Sequence, residues 1–367
     1  MRLLILALFV AAATAVELVP ILTVPEPVAN SYLVKVKENF EVSDFLRRLP
    51  VSIVVRETFE SVFHGVAVEA PVRDIQRLRN LGMIEYIEED SIARALCEWG
   101  VDRSNQPYLP LDGNCTFYGD GTGANVYIAD TGIRYSHVEF GGRAQFFWDY
   151  ESGRDGGDCN GHGTHCAGTA AGINVGIAHG ATVHSVRVLN CLGIGQISQI
   201  VAGLNAIANS GPRPGVCSIS IGSGISVAFD NAVRDLIAAG VPTAVAAGNE
   251  NAPACSTSPA RVAEAETVGS TTDSDVRSVF SNHGSCLDIF APGTSIRSSG
   301  HNSDTDYLTM SGTSMSCPHV AGVMTLHMAS GECSTGPNCK AKLADEATKG
   351  VVSNPGVGSP NNLLYST

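Results

Sequence analysis

The chain has 367 residues, of which 44% are apolar and 16% charged, so it can form one large and one small domain and is too apolar to be disordered. Its formal net charge of −13 argues against a nucleic-acid partner. Eleven cysteines are typical of an exported, disulfide-bonded protein, and their odd number leaves at least one thiol over.

Residues 1–15 are predicted to be a signal peptide. Arg2 supplies the positive start, Leu3 to Val10 form the apolar stretch, and Ala13-Thr14-Ala15 fits a small-residue cleavage site. The apolar run is too short to serve as a membrane anchor. We therefore expect a secreted, extracellular protein without a membrane partner.

Residues 16–94 are predicted to form a small domain after a proline-containing spacer at 16–29. Strands are predicted at 31–37, 51–59, 61–70 and 83–89, and helices at 43–49 and 72–82. The order βαββαβ over residues 31–90 is the ferredoxin-like α+β arrangement. That fold alone indicates no function.

Residues 95–367 shift in composition towards Gly, Ala and Ser. Apolar runs without polar alternation, typical of strands buried on both faces of a parallel sheet, lie at 125–130, 183–189, 216–221 and 241–247. Helical spacing lies between them, at 196–210 and 225–240. This alternation predicts a doubly wound α/β domain.

The first two candidate catalytic residues follow buried or glycine-rich segments. Asp130 ends the run VYIAD, and ligands of open parallel sheets bind beyond the carboxyl ends of strands; taken alone, a turn aspartate is the better interpretation. His162 lies in DCNGHGTHCAGT, where a glycine-rich loop would enter a helix. A zinc cluster of Cys159, His162, His165 and Cys166 is the less favoured alternative, because exported cysteines usually pair.

The most specific segment is MSGTSMSCPHVAG at residues 310–322. Ser314 precedes an apolar helical run from Val320 to Met328, so a helix dipole could stabilise negative charge beside it, although an ordinary helix-capping serine is the simpler interpretation. Pro318 is expected in the first helical turn. Asn249, in AVAAGNEN, follows a buried strand and can donate a side-chain N–H to an oxyanion.

Together these segments place Asp130, His162 and Ser314 in the chain order of a subtilisin triad. A serine hydroxyl needs a neutral imidazole to take its proton and a carboxylate to hold the imidazole. The segments resemble the subtilisin superfamily, and within it the proteinase K and aqualysin group, over roughly residues 98–367; residues 31–90 resemble its inhibitory propeptide. The resemblance implies a serine endopeptidase with Ser314 as nucleophile, His162 as base and acid, Asp130 as orienting group, and Asn249 with the Ser314 N–H as oxyanion hole.

The resemblance also implies two peptide-binding segments, Gly193-Ile194-Gly195 and Ser220-Ile221-Gly222, between which a substrate lies as an added strand. Main-chain pairing reads no side chains, so we expect broad specificity for proteins and peptides. The slot at Ala246, Ala247 and Gly248 has small, uncharged walls, which suit an apolar or aromatic residue before the scissile bond.

Cysteine pairing follows in part from the same resemblance. It implies disulfides Cys159–Cys191 and Cys255–Cys286, although sequence cannot prove connectivity. A local bridge Cys333–Cys339 and a bridge Cys97–Cys115 are further predictions. Cys166, Cys217 and Cys317 lie in apolar segments and are expected to be free thiols.

Two structural calcium sites are implied, and no catalytic cofactor. Asp288 with the carbonyls of Ala263 and Ala265 resembles the first site. The second resembles a loop whose hard oxygens come from Asp102, Asn105, Gln106, Asp112 and Asn114. For this second site a solvated polar loop is an equally good interpretation, since Asn105 stands where an Asp is usual and Asn114-Cys115-Thr116 is also a glycosylation sequon.

Two other classes of function compete with an active protease. One is a catalytically inactive homologue that acts as a binding protein; the complete triad with Asn249 argues against it. The other is a dedicated protease inhibitor, since residues 31–90 look inhibitory, but the attached catalytic domain makes them a precursor's own inhibitor. We expect a monomer that cuts itself within residues 91–98.

Overall fold

The computed structural model describes residues 18–24, 27–91, 97–151 and 155–366. The predicted signal peptide and most of the predicted processing segment lie outside these ranges. Within them, no helix combines the length and apolarity that a membrane crossing requires. The chain divides into two compact units, residues 1–94 and 95–367.

The first unit is a five-stranded sheet with two short helices. Its elements are β1 (Ile21–Leu22), β2 (Pro27–Val36), α1 (Val42–Leu46), β3 (Val54–Phe59), β4 (Gly65–Glu69), α2 (Val72–Leu78) and β5 (Ile84–Ser91). The strand order is β1-β5-β2-β4-β3, antiparallel except for the β1–β5 pair. Part of the predicted spacer is therefore a strand, because Ile21 and Leu22 pair with Ile87 and Glu88.

The second unit begins with α3 (Trp99–Ser104), β6 (Asn125–Asp130), β7 (Ala144–Asp149), α4 (His162–Ala171), β8 (Thr182–Arg187), α5 (Ile197–Ser210), β9 (Gly215–Ile219), α6 (Val227–Ala238) and β10 (Thr243–Ala246). It continues with β11 (Glu266–Thr271), β12 (Ile289–Pro292), β13 (Ile296–Ser299), β14 (Tyr307–Met310), α7 (Thr313–Ser330), α8 (Gly336–Glu346), β15 (Thr348–Lys349) and β16 (Asn362–Leu363).

The large sheet of this unit has the strand order β15-β16-β12-β11-β10-β9-β6-β8-β7. Strands β6 to β12 all run parallel to one another. Both faces are buried: Ala244 and Ala246 of β10 pack with α7, whereas Val245 packs with α5 and α6. The predicted doubly wound parallel sheet is confirmed. The chain reverses its direction of strand addition at β6, which is where such sheets form ligand crevices.

Helix α7 differs from its prediction at the N-terminal end. It begins at Thr313 with Gly312 as its N-cap, so Ser314 lies inside the first turn and Pro318 lies in the second turn and not the first. A proline there removes the N–H that would otherwise bond the carbonyl of Ser314. That carbonyl finds other donors, which belong to the site described next.

Candidate active site

Asp130 and His162 contact each other at the carboxyl end of β6, where the direction of strand addition reverses. Asp130 ends β6 and is fully buried, and its Oδ1 and Oδ2 lie 2.8 and 2.9 Å from Nδ1 of His162. The N–H of Thr131 also donates to Oδ1, at 2.7 Å. A carboxylate can only accept, so the proton of the neutral imidazole lies on Nδ1 and Nε2 keeps its lone pair.

Glycines make the approach of His162 to β6 possible. His162 is the first residue of α4, and Gly161 before it has φ of +108°, a conformation that other residues rarely adopt. A Cβ on Gly163 would lie 2.3 Å from the carbonyl oxygen of Gly132. The glycine-rich run NGHG is therefore explained by the close packing that brings the imidazole to Asp130.

The charge environment of His162 has two opposing parts. Burial lowers its pKa, whereas the Asp130 carboxylate and the nearby Cys166 raise it, and the net pKa lies well above the ordinary histidine value. His165, three residues along the helix, behaves differently: burial lowers its pKa to about 4. Its Nε2 lies 3.0 Å from the Ile296 carbonyl, so His165 is a structural residue.

Ser314 is the second residue of α7, and its surroundings are shaped by Pro318. The carbonyl of Ser314 accepts from Oγ of Ser220 at 2.8 Å and from Sγ of Cys166 at 3.4 Å. The hydroxyl of Ser314 donates to the Ser220 carbonyl at 3.3 Å. Cys166 Sγ also lies 3.9 Å from Nδ1 of His162. This thiol therefore contacts the first turn of α4 and the first turn of α7.

Asn249 lies just after β10, and its side-chain amide contacts the start of α7, next to Ser314. Its Oδ1 accepts from the N–H of Thr313 at 2.8 Å and from Oγ1 of Thr313 at 3.1 Å. Since a backbone N–H can only donate, these bonds fix which end of the amide is oxygen. The Nδ2 end is available to a ligand in the pocket that Asn249 lines together with Ser314.

This pocket has a volume of about 500 Å³ and opens beside Ser314. Its walls are formed by Ser220, Gly222, Ser223, Gly224, Ala246, Gly248, Asn249, Glu250, Thr257, Thr313 and Ser314. A nucleophile candidate, an amide donor and a peptide-sized pocket thus share one edge of the parallel sheet, the edge at which the Asp130–His162 pair also lies.

A sequence profile of the subtilase family, peptidase family S8, matches residues 121–361. The chain belongs to the subtilase family. An extracellular serine proteinase of Thermus sp. (strain Rt41A) is 42% identical over 94% of this chain and 91% of its own. Proteinase R of Parengyodontium album is 40% identical over 93% of this chain and 90% of its own. The chain is accordingly an extracellular serine protease.

Solved structures agree with the fold. A crystal structure of a cold-adapted subtilisin-like serine proteinase has a TM-score of 0.72, is 45% identical, and covers 74% of this subtilase and 99% of its own chain. The described elements of the second unit and this likeness together establish the subtilisin fold.

Two expectations about the substrate slot need correction. Ala247 does not line the pocket, because its side chain is fully buried with Leu287 and Phe290. The slot is not uncharged either, because Glu250 lines it, with Oε2 accepting from Nδ2 of Asn282 at 2.8 Å. Glu250 directly follows Asn249, so its position next to the candidate amide donor was the available signal.

The two predicted peptide-binding segments lie outside the regular strands. Gly193 has φ of +74° in a turn closed by its N–H on the Asn190 carbonyl, and Ile194 is 63% exposed. Ser220 and Gly222 line the pocket, whereas Ile221 is buried. The segment Gly193–Gly195 contributes nothing to the walls of the pocket as described.

The four predicted disulfides are present. They join Cys97 to Cys115, Cys159 to Cys191, Cys255 to Cys286, and Cys333 to Cys339. Cys166, Cys217 and Cys317 are free and buried. The alternative zinc cluster is wrong, because Cys159 is bonded to Cys191 and His165 faces the Ile296 carbonyl.

The second predicted calcium loop has oxygens that lack partners. Oδ1 of Asp102 and Oδ1 of Asn105 are buried without a hydrogen-bond partner among the described residues. Burial raises the pKa of Asp102, and the neighbouring Asp112 carboxylate raises it further. Gln106 and Asn114 instead bond the loop itself: Oε1 of Gln106 accepts the Asp112 N–H, and Oδ1 of Asn114 accepts the Thr116 N–H. Orphaned hard oxygens beside a carboxylate fit a calcium ion.

The first predicted calcium site does not fit the ion. The carbonyls of Ala263 and Ala265 and the carboxylate of Asp288 do converge, but on the ammonium group of Lys340. The expected metal position is thus taken by a side chain of the protein. Nothing in the sequence pattern pointed to Lys340.

Proposed function

We propose that the protein is a secreted endopeptidase in which Ser314 is the nucleophile, His162 the general base and acid, and Asp130 the orienting group. The observation that supports this most directly is the contact of His162 Nδ1 with both oxygens of the buried Asp130. It holds the imidazole in the tautomer that can take a proton on Nε2.

In the proposed reaction, Oγ of Ser314 attacks the peptide carbonyl carbon while Nε2 of His162 takes the hydroxyl proton. The negative oxygen that develops would be bound by Nδ2 of Asn249 and the N–H of Ser314 in the first turn of α7. His162 then gives its proton to the leaving amine, and water, deprotonated by the same imidazole, hydrolyses the acyl ester on Ser314.

The test is hydrolysis of casein by the mature protein. We expect phenylmethylsulfonyl fluoride and Ser314→Ala to abolish it, while Ser330→Ala at the far end of α7 leaves it unchanged. Asn249→Ala should lower kcat by roughly 10²–10³, the range known for subtilisin's own oxyanion-hole asparagine. Full activity of the Ser314→Ala chain would contradict the proposal.

We further propose that substrates are proteins and peptides bound along Gly193–Gly195 and Ser220–Gly222 in extended form, with an apolar or aromatic residue before the scissile bond. The small walls at Ala246 and Gly248 support this preference. Glu250 adds a carboxylate that could pair with a basic residue. Glu250→Gln should lower kcat/KM for a peptide with Lys at that position and not for one with Phe; an equal change for both would contradict the role.

The precursor is proposed to process itself within residues 91–98, after which residues 16–94 act as an intramolecular inhibitor of a monomeric enzyme. The short stretch between β5 and α3 and the resemblance of residues 31–90 to a propeptide support this. Ser314→Ala should yield a secreted, uncleaved chain. Maturation of that variant to the same N-terminus in a protease-free host would contradict self-processing.

Calcium is proposed at the loop of Asp102, Asn105 and Asp112, where it would satisfy the orphaned oxygens. The ion would have a structural role only. A chelator should therefore lower the unfolding temperature without instant loss of activity in the cold, and Asp112→Asn should remove that sensitivity. Immediate inactivation reversed by zinc would contradict a purely structural ion.

A further inference from the structure

Three oxygens from two loops of the second unit surround the ammonium group of Lys340. Nζ of Lys340 lies 2.9 Å from the Ala263 carbonyl oxygen, 2.8 Å from that of Ala265, and 2.7 Å from Oδ2 of Asp288. We propose that the ammonium group of Lys340 occupies the position of a metal ion among these three oxygens, which together are called the cradle below. As long as the lysine is present, calcium cannot bind in the cradle.

The number of donors fits the number of acceptors. An ammonium group has three N–H bonds, and the three cradle oxygens use all of them. Calcium instead requires six to eight oxygens at about 2.3–2.6 Å. The two cations need the same oxygens, and their charges repel each other, so one excludes the other.

A second acidic side chain, Glu266, lies beside Asp288 at the cradle. Asp288 also accepts from the Thr267 N–H at 2.9 Å, and the buried side chain of Glu266 lines the same pocket as Asp288 and Lys340. Oε2 of Glu266 has no hydrogen-bond partner among the described residues. Without Lys340, two carboxyl groups and two carbonyls would remain, which is a set of hard oxygens suited to calcium.

Lys340 is held in place by its helix. It follows Cys339, which is fully buried and bonded to Cys333, and Leu343 on the next turn is also buried. Oγ1 of Thr335 caps α8 by accepting from the N–H of Asn338. The backbone of Lys340 is therefore fixed, and only its side chain loses freedom when the ammonium binds.

The experiment measures calcium binding and unfolding temperature in full-length Ser314→Ala chains, which avoids self-digestion. All carry Asp112→Asn, to silence the other loop. With Lys340 present, titration calorimetry should detect no calcium uptake, and calcium and EDTA should give the same unfolding temperature. Lys340→Met should unfold at a lower temperature in EDTA, and saturating calcium should raise that temperature by roughly 5 °C or more.

Lys342→Met is the matched control, because Lys342 lies on the same helix and pairs with Glu332 and Glu346, neither of which belongs to the cradle. It should gain no response to calcium. A response of Lys340→Met no larger than that of this control would overturn the proposal. So would calcium uptake by the chain that retains Lys340, if Asp288→Asn abolishes the uptake; this second result does not require the Lys340 variant to fold.

Discussion

In the proposed mechanism the imidazole of His162 must be neutral to accept a proton, so its pKa would set the acid limit of activity. Burial lowers this pKa, but Asp130 and Cys166 raise it to well above the ordinary value. As pH falls through the pKa, the base becomes protonated and kcat/KM should fall tenfold per pH unit. The loss should therefore begin at a higher pH than for an ordinary histidine.

The measurement is kcat/KM for a chromogenic peptide as a function of pH, together with an NMR titration of His162. Asp130→Asn removes the main cause that raises the pKa, so the imidazole should then titrate at lower pH, while kcat falls by roughly 10⁴, the loss known for the same change in a trypsin-like triad. An acid limit at the ordinary histidine value in the unmodified protein would contradict this account.

A second residue-scale prediction concerns Cys166. Its Sγ lies 3.9 Å from Nδ1 of His162 and 3.4 Å from the Ser314 carbonyl, so a mercury adduct there would displace both groups. Burial raises the pKa of this thiol, and inhibition by a mercurial should therefore develop slowly. The time course of inhibition checks this.

Two variants separate Cys166 from the other thiols. Cys166→Ala should be resistant to the mercurial, whereas Cys217→Ala should stay sensitive, because Cys217 is buried against α5 and α6, away from the triad. Sensitivity of Cys166→Ala equal to that of the unmodified protein would place the effect at another thiol.

At the scale of elements, the first turn of α7 is held by a hydrogen bond from outside the helix, between the Ser220 hydroxyl and the Ser314 carbonyl. Pro318 has no backbone N–H to donate to the Ser314 carbonyl, and the hydroxyl of Ser220 donates to that carbonyl instead. Ser220→Ala should cost about 1–2 kcal/mol in the free energy of unfolding and lower kcat, because the neighbouring thiol is a weaker donor. Chemical unfolding and kcat measure the two effects.

Ser223→Ala is the control for this prediction, because Ser223 lines the same pocket but its hydroxyl donates only to Gly224 next to it. Equal losses in the two variants would show that the pocket rim, and not the Ser314 carbonyl, is what the Ser220 substitution disturbs.

Elements with a strong apolar pattern could be predicted from the sequence, and those held by other forces could not. Strand β6 and helix α5 were predicted to within a residue or so at each end. Helix α8 was missed, because only Cys339 and Leu343 of its later turns are buried and a disulfide holds it. Strand β11 was missed because it carries polar residues, including the buried Glu266.

The same distinction applies to the site. The positions of Asp130, His162, Ser314 and Asn249 could be read from local motifs, since each follows a strand or begins a helix. Glu250 was overlooked in the pocket although it adjoins Asn249. Lys340 could not be predicted, because its contact with Asp288 joins segments distant in sequence and no motif marks a lysine that takes a metal's place.

At the scale of the whole molecule, three histidines are buried in the neutral form. Burial lowers the pKa of His165, His184 and His319 to about 4 each. Between about pH 6.5 and pH 4 each of these histidines binds a proton in the unfolded chain and not in the folded one, so its contribution to stability is lost as pH falls through this window. Each histidine can contribute up to about 3 kcal/mol to that loss.

Denaturant unfolding of the Ser314→Ala chain between pH 7.5 and 4.5 checks this. His184→Gln should make stability less dependent on pH, whereas His179→Gln, at a half-buried position, should not. An unchanged slope in the His184→Gln chain would contradict the contribution assigned to His184.

The coexistence of four disulfides with three buried thiols has a consequence for heating. While the chain is folded, the thiols are sealed from the bridges. Once it opens, each thiolate can attack any bridge, and the exchange yields mispaired chains that no longer refold. The useful lifetime of this secreted enzyme is then governed by how fast it opens and not by an equilibrium, and a scanned melting temperature will depend on the heating rate.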